Sequence, residues 1–212
     1  MDIPTIMRAG DFPEGAPSGP GVCGIDEAGR GPLAGPVTAA CVVLAADFPV
    51  GLLDDSKALA ESRRERACSV ILDRSLAWSL GWASHEEIDR LNILGATMLA
   101  MRRAYRMLGM IPEIVYVDGN RKPELFSTPG GDSCRAGWTV QVIPVVGGDG
   151  LIPAIMAASI LAKVFRDRVM LRFDELLPEY GYHRHKGYPT KEHRAICHSR
   201  GPSPIQRTSF RY

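Results

Sequence analysis

Short apolar runs punctuated by glycine alternate along this chain with longer stretches in which apolar residues recur every three to four positions. "GVCGI" at 21–25 is short and glycine-flanked and predicts a strand. The β-branched run "PVTAACVVL" at 36–44 predicts its neighbour, returning antiparallel after a Gly-rich bend. "SLAWSLGWA" at 75–83, "EIVYVDGN" at 113–120 and "WTVQVIPVV" at 138–146 predict three further strands, with Ala77, Leu80 and Trp82 packing inward in the first of them. Of the helical stretches, "DDSKALAESRRERACSVILDR" reads as a turn and then a helix, with Ser62 and Glu65 spaced for a capping box. "SHEEIDRLNILGATMLAMRRAYRML" carries an apolar stripe of Ile88, Leu91, Leu94, Met98, Met101 and Tyr105. "LIPAIMAASILAKVFRDRVMLRFDELL" predicts a long helix with Pro153 in its first turn, where a missing N–H does no harm. The segment 121–137 is rich in Gly, Pro and Ser and predicts a loop; the tail mixes a loop, a short helix and a Pro-punctuated end.

This order predicts an α/β fold, one mixed five-stranded sheet flanked by helices. Acids at strand ends in such a sheet converge on one edge. The expected organisation is a flexible lead-in over 1–21, a main domain over 22–176, and a C-terminal extension over 177–212 packed on it.

Composition narrows the function classes. At 212 residues, 45% hydrophobic and 23% charged, the chain is an ordinary globular protein with room for a full core. Its longest apolar run, 37–46, is about half the length that crosses a bilayer. The first 21 residues lack the basic and apolar regions of a signal peptide. Five scattered cysteines form neither a disulfide framework nor a zinc motif, so a reducing cytoplasm is expected. The net charge of +1 conceals an asymmetry: residues 160–212 hold 11 Lys/Arg against 5 Asp/Glu, and four of the five histidines. A basic region opposite an acidic site suits a metal-dependent enzyme acting on a polyanion.

The acids supply that site. Asp26 and Glu27 end the first strand, Asp118 ends "IVYVD", and Asp149 follows the fifth strand just before the long helix. Oxygen-only ligands point to Mg²⁺ or Mn²⁺. Two such ions about 3.5–4 Å apart can serve both the attacking and the leaving oxygen of a phosphodiester. Plainer readings exist: Asp118 opens a good Asp-Gly-Asn turn, and Asp149 is an acid near a helix N-terminus. Adjacent Asp26 and Glu27 are harder to explain without a bound cation. Behind them, Gly29-Arg30-Gly31 is either a tight turn or a bend that lets a substrate approach the main chain.

Together "GIDEAGRGPLAGPV", "DDSKAL", "IDRLNILGATMLAMRRA", "VYVDGN", "PAIMAASILAKVFRD", "HKGYPTKEH" and "GPSPIQRTSF" resemble bacterial ribonuclease HII, the type 2 ribonuclease H family, in family order over nearly the whole chain. The resemblance implies a ribonuclease H-like fold whose C-terminal helical extension binds substrate. It implies an endonuclease that cuts the RNA strand of RNA–DNA hybrids and nicks duplex DNA 5′ of embedded ribonucleotides, leaving 3′-hydroxyl and 5′-phosphate ends. The family's four metal-binding acids fall on Asp26, Glu27, Asp118 and Asp149, its glycine-arginine-glycine motif on Gly29, Arg30 and Gly31, and its substrate-reading tyrosine on Tyr188. Lys57, Lys163, Arg166 and Lys186 are the expected phosphate contacts. Two features depart from the family: the segment between Asp118 and Asp149 is long, and Gly148 stands where a lysine is common. Asp132 lies in the same insert, but Asp149 is preferred because the helix follows it directly. The expected partners are RNA–DNA hybrid and ribonucleotide-containing duplex DNA, with no membrane, and the expected state is a monomer. The competing readings are the sister ribonuclease HIII, for which too few residues precede Val22, a non-catalytic hybrid-binding protein, and a DNA-only two-metal nuclease.

Overall fold

Eight consecutive buried residues, Val37–Leu44, make the second strand, and the rest of the molecule is layered on it. The structure, a computed structural model, describes residues 6–7, 17, 19–53, 60–125, 134–135 and 138–211. In chain order these form β1 (Val22–Ala28), β2 (Val37–Leu44), α1 (Glu61–Arg74), β3 (Ser75–Ala83), α2 (His85–Met107), β4 (Ile114–Asp118), β5 (Cys134–Arg135), β6 (Trp138–Thr139), β7 (Gln141–Val145), α3 (Pro153–Leu176), α4 (Tyr182–His185) and α5 (Lys191–Arg200).

Five strands make one mixed sheet in the order β3-β2-β1-β4-β7, while β5 and β6 pair as a separate ribbon. The β1–β2 and β2–β3 pairs are antiparallel; β1–β4 and β4–β7 are parallel. One face packs on α2 through Cys23, Ile25, Cys41, Val115 and Val117, the other on α1 and α3 through Ala40, Val42, Ala157, Ile160 and Leu161. The central strands are thus covered on both sides, which is why β2 reads as an unbroken apolar run instead of an alternating one. Gly24 lets α3 lie directly on β1: a Cβ there would sit 2.1 Å from the Ala154 carbonyl carbon. That contact sets α3, and the turn that precedes it, against the end of β1.

Four local expectations need correction. Helix α1 begins at Glu61 with Ala60 as N-cap, so Ser62 lies inside the first turn and forms no capping box. The box occurs instead at α2, where Ser84 and Glu87 exchange hydrogen bonds. Helix α2 is kinked at Asn92 (φ 58°), whose side-chain oxygen accepts from Leu94 N and Gly95 N and so caps a second start. The kink resets the phase of the apolar stripe: Leu91 and Leu94 face solvent, and Ala96, Ala100 and Ala104 join Met101 and Tyr105 against the sheet. Trp82 is 61% exposed, because β3 is an edge strand and the residues turned to α2 are Ser79, Gly81 and Ala83. Finally, the run expected as one strand over 138–146 divides between β6 and β7.

Within the expected lead-in, Met7 bridges to β7 by donating to Pro144 O and accepting from Val146 N. After α3 the chain folds back on that helix: Tyr180, Tyr182 and Ile205 share a small core with Met170 and with Ala34 from the segment after β1. Main-chain bonds tie this tail to the same segment, Leu33 N to Gly187 O, Gly35 N to Ile205 O and Arg207 N to Leu33 O. Among the described residues no helix is long and apolar enough to cross a membrane.

Candidate active site

Parallel pairing brings the acids together. Ile25 of β1 faces Val117 of β4, so Asp26 and Asp118 leave the sheet side by side. Asp118 in turn faces Val145 of β7, and a short 3-10 turn, Gly148–Gly150, carries Asp149 back toward it. The Asp149 N–H donates to Asp118 Oδ1 at 3.4 Å. This is the edge where ligands collect in open α/β sheets, beyond the carboxyl ends of parallel strands.

Asp26 is 3% exposed. Its Oδ1 accepts from the Glu27 N–H at 2.6 Å, and the Ser159 side chain of α3 hydrogen-bonds to it. Burial, then the neighbouring charges of Glu27 and Asp118, push its carboxyl well above the usual range, against those two hydrogen bonds. Glu27 is half-buried and meets the exposed Arg30 guanidinium at 3.3 Å.

These acids open on a cleft of about 390 Å³. It is lined by Asp26, Glu27, Ala28, Gly29, Arg30, Gly31, Arg64, Asp118, Ser159, Lys163 and Tyr188. Tyr188 is 37% exposed, and its ring stands so near Gly31 that a Cβ there would be 3.9 Å from Cε1. The ammonium of Lys163 and the guanidinium of Arg166 lie 5.4 and 5.6 Å from the ring centroid. From below, Tyr188 N donates to His185 O at 2.8 Å, and the buried His193 ring meets Tyr188 O through Nδ1 at 3.0 Å.

The residues expected to touch phosphate divide. Lys163 reaches the cleft while pairing with Asp167 at 2.8 Å. Arg166 does not: it is fully buried, and its guanidinium donates to the carbonyls of Pro36, Lys186 and Ala34. The expectation of a phosphate contact at Arg166 is therefore corrected; the side chain is spent on the main chain. Lys186 points its ammonium at His183 O, 2.5 Å away, and is not among the cleft-lining residues. Asp149 likewise stands beside the cleft without lining it, its main chain bonded to Asp118. Lys57 and Asp132 lie outside the described residues. Three residues at or beside the site were not singled out in the sequence: Ser159 and Arg64, which line the cleft, and Arg207, which is buried behind it.

The donor set suits a hard divalent cation. It is all oxygen, and the crowding of Asp26 by Glu27 and Asp118 in a buried place is relieved by positive charge. Among the described residues no group of three His, Cys, Asp or Glu side chains forms a ready cage. Mg²⁺-type sites often rely on one or two carboxylates, with waters and substrate phosphate completing the shell.

The family model described as Ribonuclease HII matches residues 23–212. A Ribonuclease HII of Dechloromonas aromatica is 52% identical over 189 residues, covering 89% of this chain and 90% of that protein. Among solved structures, the ribonuclease H2 of Pyrococcus horikoshii OT3 superposes with a TM-score of 0.68 at 26% identity, covering 89% of this chain and 93% of that one. A Bst-RNase HIII in complex with Mn²⁺ shares the fold at a TM-score of 0.63 and 18% identity, covering 85% of this chain and 62% of that one.

Proposed function

Since the chain belongs to the ribonuclease HII family, and is thereby an endonuclease of RNA paired with DNA, we propose that Asp26, Glu27, Asp118 and Asp149 hold two Mg²⁺ or Mn²⁺ ions and that the enzyme also nicks duplex DNA 5′ of an embedded ribonucleotide. The observation that carries the reading is one cleft lined by Asp26, Glu27 and Asp118, by the Gly29–Gly31 bend and by Tyr188. Such cations, when bound, neutralise charge at the scissile phosphate and make water a better nucleophile at neutral pH.

The chain's own residues do the rest. Ser159 and the Glu27 N–H fix the Asp26 carboxylate, and the Asp149 N–H fixes that of Asp118. Water adds to phosphorus in line with the departing 3′ oxygen, so the products are a 3′-hydroxyl and a 5′-phosphate. The 2′-hydroxyl is not consumed and serves as the mark that separates RNA from DNA. Main-chain groups of 29–31 and the Tyr188 hydroxyl bind it, and the Tyr188 ring packs on the adjoining sugar. Lys163 and Arg64 take backbone phosphates, which positions the duplex without reading its sequence. The segment 177–212, which carries Tyr188, acts as a substrate-binding extension. The proposed working form is a cytoplasmic monomer; Cys23, Cys41, Cys68 and Cys197 are all buried free thiols, in keeping with a reducing compartment.

Tyr188→Ala and Tyr188→Phe test this assignment. Loss of a ring contact worth about 1–3 kcal/mol predicts a fall of roughly 10- to 100-fold in kcat/KM on a single-ribonucleotide duplex. Loss of the hydroxyl alone, about 0.5–1.5 kcal/mol, predicts roughly 2- to 10-fold. Steady-state kinetics showing both variants equal to the parent would remove Tyr188 from substrate reading.

A further inference from the structure

Among the described residues the two largest fully buried side chains are both arginines, Arg166 and Arg207. Their described hydrogen bonds all end on main-chain carbonyls, with no carboxylate among the acceptors. Arg207 Nη2 donates to Gly29 O at 2.6 Å and Pro36 O at 3.1 Å, Nη1 to Arg30 O at 3.0 Å and Pro32 O at 2.7 Å, and Nε to Gly35 O at 2.9 Å. Arg166 takes the same Pro36 O from the other side, with Ala34 O and Lys186 O.

A planar trans peptide points its C=O and N–H in opposite directions. Pinning Gly29 O inward therefore turns the Arg30 N–H outward, and pinning Arg30 O turns the Gly31 N–H outward. Gly29, Arg30 and Gly31 line the cleft, which is where donors turned away from Arg207 would emerge. Burying a guanidinium with no carboxylate among its hydrogen-bond acceptors carries a large desolvation penalty, which the nearby charges of Asp89 for Arg207 and Asp167 for Arg166 only partly offset. A turn that merely joined two strands would not need it. What the two charges produce is a rigid row of N–H donors with positive potential behind it, the arrangement that receives an anionic or hydroxyl oxygen.

Arg207 is itself held in place from outside the site. The next two residues, Thr208 and Ser209, give both their N–H groups and both hydroxyls to the Asp89 carboxylate of α2, at 2.6–2.9 Å. Burial alone would raise that carboxyl; the bonds from Ser209 and Thr208 overcome it and hold it down to about 2, so the acceptor is fully ionised at neutral pH.

We propose that Arg207, latched by Asp89 through Thr208 and Ser209, is a positioning residue that aims the main-chain donors of Arg30 and Gly31 at the 2′-hydroxyl side of the substrate. This rests on the functional reading above and deepens it. Lysine cannot replace Arg207, because a point charge with three donors cannot span five carbonyls that a planar fork reaches.

The test is binding in an Asp118→Asn background, with Mg²⁺, to a DNA duplex carrying one ribonucleotide and to the same duplex in all-DNA form. Adding Arg207→Lys is expected to lower the preference for the ribonucleotide about tenfold or more while leaving affinity for the all-DNA duplex within about twofold. Asp89→Asn is expected to lower the preference in the same direction. A cooperatively unfolding Arg207→Lys protein that keeps the parent's preference would overturn the proposal. Should that variant fail to fold, Asp89→Asn, altered only outside the buried clamp, decides by the same criterion. A parent with no ribonucleotide preference would instead overturn the functional reading, and this inference with it.

Discussion

Asp26→Asn is expected to stop cleavage and, in metal-free protein, to raise thermal stability. The substitution keeps the shape of the side chain and removes one negative charge from a buried position that Glu27 and Asp118 already make unfavourable for a carboxylate. Without metal, that charge is a burden on the fold, since a carboxyl pushed above its unfolded value destabilises the native state wherever it is ionised. Each kcal/mol relieved would lift Tm by about 2–4 °C in a chain of this size. The activity change runs the other way. Charge stabilisation at a phosphoryl group is worth several kcal/mol, and at 1.36 kcal/mol per decade the expected loss is about 10³-fold or more. Differential scanning of parent and variant with EDTA, beside single-turnover cutting with Mg²⁺, reads both. A variant that cuts normally, or one that is inactive only because it has unfolded, would contradict the assignment of Asp26.

Gly29→Ala is expected to damage fold and function together, for a reason local to the bend. Gly29 has φ +98°, a region side-chain-bearing residues rarely occupy, and its missing Cβ would lie 2.1 Å from Arg166 Nε, 2.4 Å from Arg166 Cδ and 2.9 Å from Pro36 O. Alanine must therefore twist the backbone and push Arg166 off its carbonyls. Strain of about 1–2 kcal/mol and the loss of one or two buried hydrogen bonds at about 1–3 kcal/mol each give an expected destabilisation of roughly 2–8 kcal/mol. Gly109→Ala is the control: φ is +75° but no atom lies within 4 Å of its Cβ position, so only the backbone strain applies. Thermal melts should separate the two variants by several degrees. Equal melts would mean that Arg166 gives way freely and that the bend is not clamped.

What the sequence alone discloses, and what it hides, follows from how each feature is encoded. The strands of the main sheet were legible because glycine and β-branched residues mark them locally, and the acids because they stand at strand ends; the short β5–β6 ribbon was not. The kink in α2 was not, since Asn92 supports a helix restart only when its side chain turns back on Leu94 and Gly95. Trp82 reads as core from its chemistry, yet β3 is the edge strand and only strand order reveals that. Arg166 illustrates the deeper limit. Its positive charge reads as a phosphate contact, whereas full burial turns it into a brace for the main chain. Arg207 stands in the block "GPSPIQRTSF", but its role is visible only in its five carbonyl acceptors.

In the proposed function one cleft joins acid-held cations to main-chain recognition of a 2′-hydroxyl. Its most direct test incubates a DNA duplex containing a single ribonucleotide, beside an all-DNA control, with the parent protein and with Asp118→Asn in Mg²⁺ or Mn²⁺. The expected result is a nick 5′ of the ribonucleotide by the parent alone, with 3′-hydroxyl and 5′-phosphate ends, and an intact control. Equal cutting of the all-DNA duplex, or undiminished cutting by Asp118→Asn, would contradict it.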